Sequence, residues 1–196
     1  MSKISIVTKG GDRGTTSLFT GERVSKSSLR PVTYGVVDEL VSMLGLAYAY
    51  AKQSNILIPD IVTDTIQQIQ EDLFDVGSEL ASNNESKLIN RIDQKYLDYL
   101  ESIVAKIEAI DDPDLIPTDF ILPGGTTCGA ALDVSRTIAR RLERHIVLLQ
   151  EEQEHDNDKL LAWSNRLSDV LWLLARVAEG SDPNNRIKAR LRNNSN

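Results

Sequence analysis

The chain of 196 residues contains little cysteine, histidine or aromatic side chain. Its one cysteine, Cys128, excludes a disulfide framework and a multi-cysteine metal site. Its two histidines, His145 and His155, are too few for a metal centre built on imidazole. Aromatic residues make up only 5% of the sequence, which favours a core of aliphatic side chains packed between helices.

Long apolar runs and excess positive charge are also missing. No apolar run approaches the roughly 18 residues of a membrane span, and the start of the chain, MSKISIVTKGG, has no apolar signal segment. The 22 basic and 29 acidic residues give a formal net charge of −7, whereas nucleic-acid binding depends on a basic field. We therefore expect a cytoplasmic protein that binds neither a membrane nor nucleic acid.

Apolar residues recur with the period of an α-helix in five stretches. These cover residues 33–52, 60–81, 92–110, 126–150 and 159–179. They predict an all-α protein of one domain, an antiparallel five-helix bundle with a ferritin-like up-down arrangement and a short extended Gly-rich N-terminal segment. We assign residues 1–180 to this domain, with an N-terminal loop over 1–32 and the bundle over 33–180. Residues 181–196 are predicted to form a polar, disordered tail.

The fourth predicted helix carries a stripe of arginines. Arg136, Arg140 and Arg144 share one side by i, i+4 and i+8 spacing, and Arg141 lies on the flank. The apolar side is formed by Ala131, Ser135, Ile138, Leu142, Ile146 and Leu149. Neighbouring arginines repel one another by about 0.2–0.5 kcal/mol per pair. The stripe therefore indicates either a solvated charged face or a site for a polyanion, of which phosphate best suits the planar arginine fork.

The segment Thr8–Lys26 reads TKGGDRGTTSLFTGERVSK. Its four glycines, set among Thr, Ser and Asp, predict a loop with exposed backbone amides. Such a loop is either a flexible leader or a nest of N–H groups around a phosphate, with Lys9, Arg13 and Lys26 supplying charge. It is not a Walker A loop, because G-x-x-x-x-G-K-[ST] does not occur.

Three further side chains need an explanation. Asp38 lies near the edge of the apolar stripe of the first helix, where a carboxylate needs a partner such as an arginine of the fourth helix. Asn165 is unfavourable inside the last helix, which indicates a local role. Phe120 begins the stretch FILPGG, whose pattern predicts a buried tether and a tight turn with Phe120 in the core.

Four blocks of the sequence, taken together and in order, resemble the PduO-type ATP:cob(I)alamin adenosyltransferases, also called corrinoid adenosyltransferases. They are TKGGDRGTTSLFTGERVSK (Thr8–Lys26), YGVVDELVSMLG (Tyr34–Gly45), FILPGG leading to SRTIARRLER (Phe120–Arg144) and SNRLSDVLWLLAR (Ser164–Arg176). Each block is weak alone. All four at these separations are specific, and they span most of the chain.

The resemblance implies a homotrimer of five-helix subunits with active sites between the subunits. ATP would lie between the N-terminal loop of one subunit and the arginine helix of the next, with Mg²⁺ bridging its phosphates and no metal-binding side chain. The ATP-binding residues implied in this way are Thr8, Lys9, Gly10, Gly11, Thr16, Ser17, Lys26, Arg140, Arg141, Glu143, Arg144 and Asn165. Asp38 would pair with Arg136 across the subunit interface, which gives Asp38 its partner.

For the reaction, the resemblance implies attack of Co(I) on the 5′ carbon of ATP, with inorganic triphosphate leaving. Arg140, Asp38, Arg136 and Phe120 would be the catalytic residues, and no protein nucleophile or general base is implied. Phe120 would displace the lower axial ligand of Co(II) to leave four-coordinate cobalamin, and Trp172 would line the corrin beside it. Cobalamin and ATP are then the substrates. The resemblance leaves room for two protein partners, a reductase and an acceptor enzyme that uses adenosylcobalamin.

The sequence departs from the family pattern at four positions. Val41 stands where Asn is common, Asp133 where His is frequent, Leu142 where Ala is usual and Trp172 where Phe is commoner. As flank or packing positions, they bear on rate, affinity and the shape of the corrin pocket rather than on the type of reaction. Two alternatives stay open. One is a non-enzymatic sensor or delivery protein of the same fold that binds ATP or adenosylcobalamin, and the other is a structural bundle whose arginine stripe binds an acidic protein.

Overall fold

The computed structural model describes Val7, residues 9–83 and residues 90–189. Five helices dominate this part of the chain and confirm the predicted all-α five-helix bundle. They are α1 (Leu29–Gln53), α2 (Asp60–Leu80), α3 (Gln94–Glu108), α4 (Thr127–Glu151) and α5 (Asp158–Glu179). Two short antiparallel ladders accompany them, β1 (Thr15–Ser17) with β2 (Arg23–Ser25), and β3 (Ile121–Leu122) with β4 (Ile187–Lys188).

Side-chain caps fix the starts of three helices. The hydroxyl of Thr126 accepts a hydrogen bond at 3.0 Å from the backbone amide three residues further on, at the start of α4. Asp93 and Asn157 cap α3 and α5 by accepting from the amide two residues further on. Such caps satisfy amides that have no helical acceptor, so they favour a helix start at these positions.

Helix α1 is longer than its sequence pattern indicated. It begins at Leu29 instead of Thr33, because Pro31 fits in the first turn, where its missing amide would have no acceptor. By length and composition alone, α1 could cross a membrane. Its side chains at Leu40 and Leu44 are fully buried in the bundle, and the core helix of a soluble protein meets the same criterion. The absence of membrane binding stays a prediction.

Helix α4 is central to the packing because it lies against both α1 and α5. Its predicted apolar side is buried, as shown by Ala131, Ser135, Ile138, Leu142, Ile146 and Leu149. Arg140 and Arg144 are exposed on the other side. The helical period therefore predicted the core face and the outer face of α4 correctly.

The chain after α5 folds back against the bundle. Residues 183–185 form a single 3₁₀ turn, and β4 then pairs with β3. The predicted disordered tail is therefore wrong for residues 181–189. Its polar groups form hydrogen bonds, such as those from Arg186 to the carbonyls of Asp114 and Leu115, so polarity did not indicate a solvated segment. Residues 190–196 lie outside the described part of the chain.

Candidate functional site

The glycine-rich loop near the N-terminus is a hairpin closed on Arg23. Its two strands, β1 and β2, pair antiparallel. The guanidinium of Arg23 donates hydrogen bonds to the Gly10 carbonyl at 2.8 Å and to the hydroxyls of Thr15 and Ser17. Arg23 was not singled out from the sequence, where it is one of several cations in the loop and has no distinguishing spacing.

Lys26 lies over the glycines of this hairpin. Its backbone amide donates to the Gly14 carbonyl at 2.9 Å. Its ammonium group rests against Gly11, where an added Cβ would stand 2.9 Å from the nitrogen, so a side chain there would displace the ammonium. The other predicted loop residues in the same hairpin region are Lys9, Gly10, Thr16 and Ser17. Thr8 falls outside the described residues.

The hairpin is fixed to the carboxyl end of α2. The amide of Phe19 donates to the carbonyl of Ala81 at 2.8 Å, and the Thr20 hydroxyl donates to the side-chain oxygen of Asn83 at 2.7 Å. Leu18 is buried beneath these contacts. The hairpin is therefore held at a defined place on the bundle, so its amides and cations have a fixed position relative to α1 and α2.

An apolar depression of about 320 Å³ lies beside the hairpin, between α1 and α2. Phe19 and Phe74 line it, with exposed fractions of 57% and 72%. Asp38 lines it too and has no ion-pair partner among the described residues. Arg136 instead pairs with Asp133 of its own helix, with Nε 3.4 Å from Oδ1. Within one chain, the structure does not bring Asp38 and Arg136 together.

The outer face of α4 presents exposed arginines. Arg140 and Arg144 have no ion-pair partner in the part of the chain that the structure describes. Arg141, on the flank, pairs with Glu39 of α1. Across residues 9–83 and 90–189, no hydrogen bond or ion pair joins the hairpin to Arg140 or Arg144. A single chain therefore offers the arginine face and the hairpin as two cationic surfaces with no hydrogen bond or ion pair between them.

The neighbours of these arginines indicate a positive potential. Burial, together with the charges of Arg141 and Arg144, lowers the pKa of His145, so its imidazole is neutral at pH 7. Glu143 accepts a hydrogen bond at 2.8 Å from the amide of Asn165 on α5, which is a local role of the kind predicted for Asn165. The effect of the arginines on His145 reflects a positive potential, which suits a surface that binds a polyanion.

A cleft of about 510 Å³ lies between the loop before α4 and the α4–α5 pair. Phe120 and Asp119 line one side, and Trp172 and Arg136 line the other. The ring of Phe120 is 75% exposed, so the prediction of a core residue in a buried tether is wrong. The backbone of this loop is hydrogen-bonded at the surface, with the Phe120 carbonyl accepting from the Ala189 amide at 2.8 Å. An apolar sequence pattern cannot tell a core aromatic from one that faces a ligand.

Buried charges form a wall of this cleft. Arg176, only 1% exposed, reaches the Asp133 carboxylate at 2.6 Å and the Glu179 carboxylate at 3.1 Å. Its guanidinium lies 5.5 Å from the centre of the Trp172 ring. Burial raises the pKa of Glu179, and the charge of Arg176 opposes that shift. Asp133, assigned from the sequence to a flank or packing position, is instead a buried ionic residue. Arg176 was not identified from the sequence as a residue of this site.

Another cleft, of about 760 Å³, lies elsewhere and is acidic. Glu71, Asp72 and Asp75 of α2 line it with Tyr96 of α3. Burial raises the pKa of Asp72 to about 6, and the charges of Asp75 and Glu71 act in the same direction. The cleft contains none of the predicted site residues, and its negative charge would repel a polyanion.

The described residues contain no reactive thiol. They also contain no metal site built from carboxylates and histidines. Cys128 is buried in the first turn of α4, and burial raises the pKa of its thiol to about 11. The thiol is therefore protonated at neutral pH and is a poor nucleophile. No group of three His, Cys, Asp or Glu side chains in residues 9–83 and 90–189 could hold a metal ion.

Comparison with known proteins gives one consistent family. The family model described as cobalamin adenosyltransferase matches residues 6–178. A corrinoid adenosyltransferase of Citrobacter freundii is 36% identical over 176 residues, which cover 89% of this chain and 94% of that protein. One from Mycobacterium leprae is 39% identical over 186 residues, covering 90% and 93%.

A solved structure gives the same result. A variant of the PduO-type ATP:corrinoid adenosyltransferase from Lactobacillus reuteri, complexed with cobalamin and ATP, superposes with a TM-score of 0.78 at 33% identity. The match covers 96% of this chain and 97% of that one.

Proposed function

The chain belongs to the cobalamin adenosyltransferase family, and we propose that it transfers the 5′-deoxyadenosyl group of ATP to cob(I)alamin, giving adenosylcobalamin and inorganic triphosphate. Four-coordinate cob(II)alamin precedes cob(I)alamin on this route. The observation that carries the proposal is the placement of two surfaces on one helix, α4. Its outer face offers Arg140 and Arg144 to an anion, while Arg136 lines the cleft beside Phe120.

In this reaction the protein has to position the two substrates and stabilise the negative charge of the leaving triphosphate. The cobalt of cob(I)alamin attacks the 5′ carbon with its electron pair, a Co–C bond forms, the C–O bond to triphosphate breaks, and the leaving oxygen takes that bond's electrons. No side chain has to act as a nucleophile or base, which agrees with the protonated state of Cys128. Arg140, Arg144 and Lys26 would stabilise the charge that grows on the triphosphate.

The ATP site is proposed to combine the hairpin of one subunit with the arginine face of the next. The hairpin would contribute backbone amides, hydroxyls and Lys26, and the neighbour would contribute the arginine face with Glu143 and Asn165. The proposed residues are Thr8, Lys9, Gly10, Gly11, Thr16, Ser17, Lys26, Arg140, Arg141, Glu143, Arg144 and Asn165. Arg141 has to share its charge between Glu39 and the nucleotide. Mg²⁺, a hard cation that keeps phosphate oxygens and water as ligands, fits a site where the nucleotide supplies its ligands.

The proposed homotrimer is supported by two different surfaces that could meet at an interface between subunits. Asp38 lies in the apolar depression, whereas Arg136 lines the Phe120 cleft. Pairing Asp38 of one subunit with Arg136 of the next makes a head-to-tail contact, and such a contact forms a ring when the rotation between neighbours closes, as in a trimer. The exposed rings of Phe19 and Phe74 beside Asp38 supply apolar area that such an interface would bury.

Asp38→Asn is expected to weaken assembly. It would leave Arg136 without the counter-charge of the neighbouring subunit, a loss of about 2 kcal/mol or more for a buried pair. Light scattering over a dilution series would measure the shift toward the monomer. Asp64→Asn, at an exposed carboxylate of α2, is the matched control. An Asp38→Asn protein with unchanged assembly and kinetics would contradict the pairing.

The cobalamin site is proposed at the Phe120 cleft, with Trp172 on its other side. An exposed phenylalanine on a hydrogen-bonded backbone is suited to enter the space of an axial ligand, because no core packing restrains its ring. The cleft of about 510 Å³ is smaller than a corrinoid, so it would take only the face that meets Phe120. Catalysis then draws on Arg140, Asp38, Arg136 and Phe120.

Phe120→Ala is expected to impair the reduction of cob(II)alamin more than the binding of ATP. Without the ring, the axial ligand is not displaced, and five-coordinate cobalt is harder to reduce, so turnover should fall by about 10²-fold or more. Stopped-flow kinetics and ATP titration would compare the two steps. Leu122→Ala, at an exposed apolar residue of the same loop, is the control. Equal losses in both steps would discredit the role of Phe120.

The visible spectrum of cob(II)alamin tests the whole proposal. Under anaerobic conditions, adding the protein with Mg-ATP should produce the band of four-coordinate cobalt, and adding a reductant should then yield adenosylcobalamin. A protein that binds ATP but forms no product would be the sensor or delivery protein instead. A spectrum and titration without any ATP effect would point to the structural bundle.

The setting of the reaction completes the proposal. Making cob(I)alamin requires an electron donor, so a reductase is a proposed partner, and an acceptor enzyme would use the product. A cytoplasmic location is proposed for the same reason, since low-potential electron donors are found there. The functional domain, predicted to end at residue 180, is proposed to extend to Ala189 because β4 pairs with the Phe120 loop.

A further inference from the structure

We infer that Arg186 is a positioning residue for the cobalamin step, acting through the segment Ser181–Ala189, here called the strap, to hold Phe120 at its cleft. The inference rests on the proposed function, in which Phe120 meets the corrinoid. It concerns the hydrogen bonds that hold the Phe120 loop, residues 116–124, within the described chain.

The strap holds the loop through its backbone. Ile121 pairs with Lys188 and Leu122 with Ile187 in the β3–β4 ladder. The amide of Ala189 donates to the carbonyl of Phe120 itself at 2.8 Å. In the described part of the chain, the hydrogen bonds of residues 116–124 all run to the strap.

Phe120 depends on this backbone pairing because its side chain is not packed in the core. Its ring is 75% exposed, so burial does not determine where it lies. Leu115 belongs to the hydrophobic core. The residues that follow it are not part of the core until α4 begins. The position of the ring over the cleft is therefore set by the β3–β4 ladder and by the contacts that hold β4 in place.

Arg186 is what fixes β4. Its guanidinium donates to the carbonyls of Asp114 and Leu115, the latter at 2.7 Å, and lies 3.4 Å from the carbonyl of Arg176. One side chain thus joins the strap to the segment before the Phe120 loop and to the last turn of α5. A cation at the carboxyl end of a helix is also favoured by the helix dipole.

A second contact fixes the other end of the strap. The backbone of Asn185 lies directly on Gly125, where an added Cβ would stand 1.7 Å from the Asn185 carbonyl oxygen. The Asn185 side chain also donates to the carbonyl of Glu179 at 3.0 Å. The strap therefore grips both ends of the loop, at residues 114–115 and at Gly125, with Phe120 between them.

Two variants test the inference. Arg186→Met removes the guanidinium and keeps most of the side-chain bulk, and Ala189→Pro removes the amide that donates to Phe120. Ala189→Gly keeps that amide and is its control. Lys188→Ala, which breaks only the exposed ion pair with Asp119, is the control for Arg186→Met.

The first measurement is hydrogen exchange over residues 116–124, which needs no substrate. Both variants should exchange faster there than the wild type and both controls, while α5 keeps its protection. Unchanged exchange in Arg186→Met would overturn the inference. This readout stands even if the wild type gives no ATP-dependent spectrum, which would count against the proposed function instead.

The second measurement is the ATP-dependent band of four-coordinate cob(II)alamin. Arg186→Met should lose most of the band, on the order of tenfold, with ATP affinity within about twofold of the wild type and with Arg186→Lys recovering part of it. If Arg186 acts through Phe120, the double variant should match Phe120→Ala alone, so adding Arg186→Met to Phe120→Ala should cause no further loss. Losses that add in the double variant, or equal losses in band and ATP affinity, would overturn the positioning role.

Discussion

Arg140→Ala is expected to lower turnover by about 10²–10³-fold, the size of effect seen when one charge-stabilising donor is removed from a transition state. Arg140 is exposed on the outer face of α4 and has no ion-pair partner among the described residues, so its charge is available to a ligand. The loss should fall on kcat more than on the KM for ATP, because charge on the triphosphate grows as the C–O bond breaks.

Steady-state kinetics with cob(I)alamin generated in the assay would measure this effect. Arg166→Ala is a suitable control, since Arg166 is an arginine of α5 that pairs with Asp169 and Glu101 at the surface. Arg140→Lys should recover part of the rate, because the ammonium keeps the charge and loses the planar fork. Wild-type turnover in Arg140→Ala would sink the proposed role of the arginine face.

Arg176→Ala is expected to destabilise the fold by about 3–5 kcal/mol, the cost of removing one partner from a buried ion pair. Arg176 is 1% exposed, and its removal would leave the carboxylates of Asp133 and Glu179 buried without their cation. Unpaired buried carboxylates bind protons, so the loss should be smaller at pH 5 than at pH 8.

Urea denaturation at a fixed protein concentration would measure the free energy of unfolding, since assembly would make it concentration-dependent. Arg166→Ala is again the control variant. Its i, i+3 pair with Asp169 copies the spacing of the Arg176–Glu179 pair but lies at the surface, where about 1 kcal/mol or less is expected. Similar losses in the two variants would mean that burial is not what gives the Arg176 cluster its strength.

The helices and the arginine face could be predicted from the sequence because they depend on local periodicity. The stripe of Arg140 and Arg144 opposite Ile138 and Leu142 needs only the helical repeat, and the structure agrees with it. The caps were within reach for the same reason, since Thr126 stands directly before its helix. The sequence also placed the glycines and Lys26 in one loop, although it did not predict that the loop would form a hairpin.

The family resemblance placed Phe120 and Trp172 at one corrin, but residue patterns alone could not predict the cleft because its parts meet across long stretches of sequence. Arg176 and Asp133 are 43 positions apart, and a buried ion pair leaves no periodic trace. The apolar run that begins at Phe120 indicated a core residue. Such a run does not show whether its side chains pack in the core or face a ligand at the surface. The polar composition of the strap indicated a disordered tail. Its polar side chains instead bind backbone carbonyls, and every residue has a carbonyl, so the sequence does not show which ones will be bound.

The burial of Cys128 has a practical consequence for labelling. A thiol with a pKa of about 11 and almost no exposure should react slowly with maleimide reagents at neutral pH, so the native chain gives little background. A cysteine introduced at Leu57, which is 93% exposed in the connection between α1 and α2, would then carry a fluorophore at one known place. Mixing subunits labelled with donor and with acceptor dyes would report exchange between assemblies in real time, without touching any proposed ligand contact.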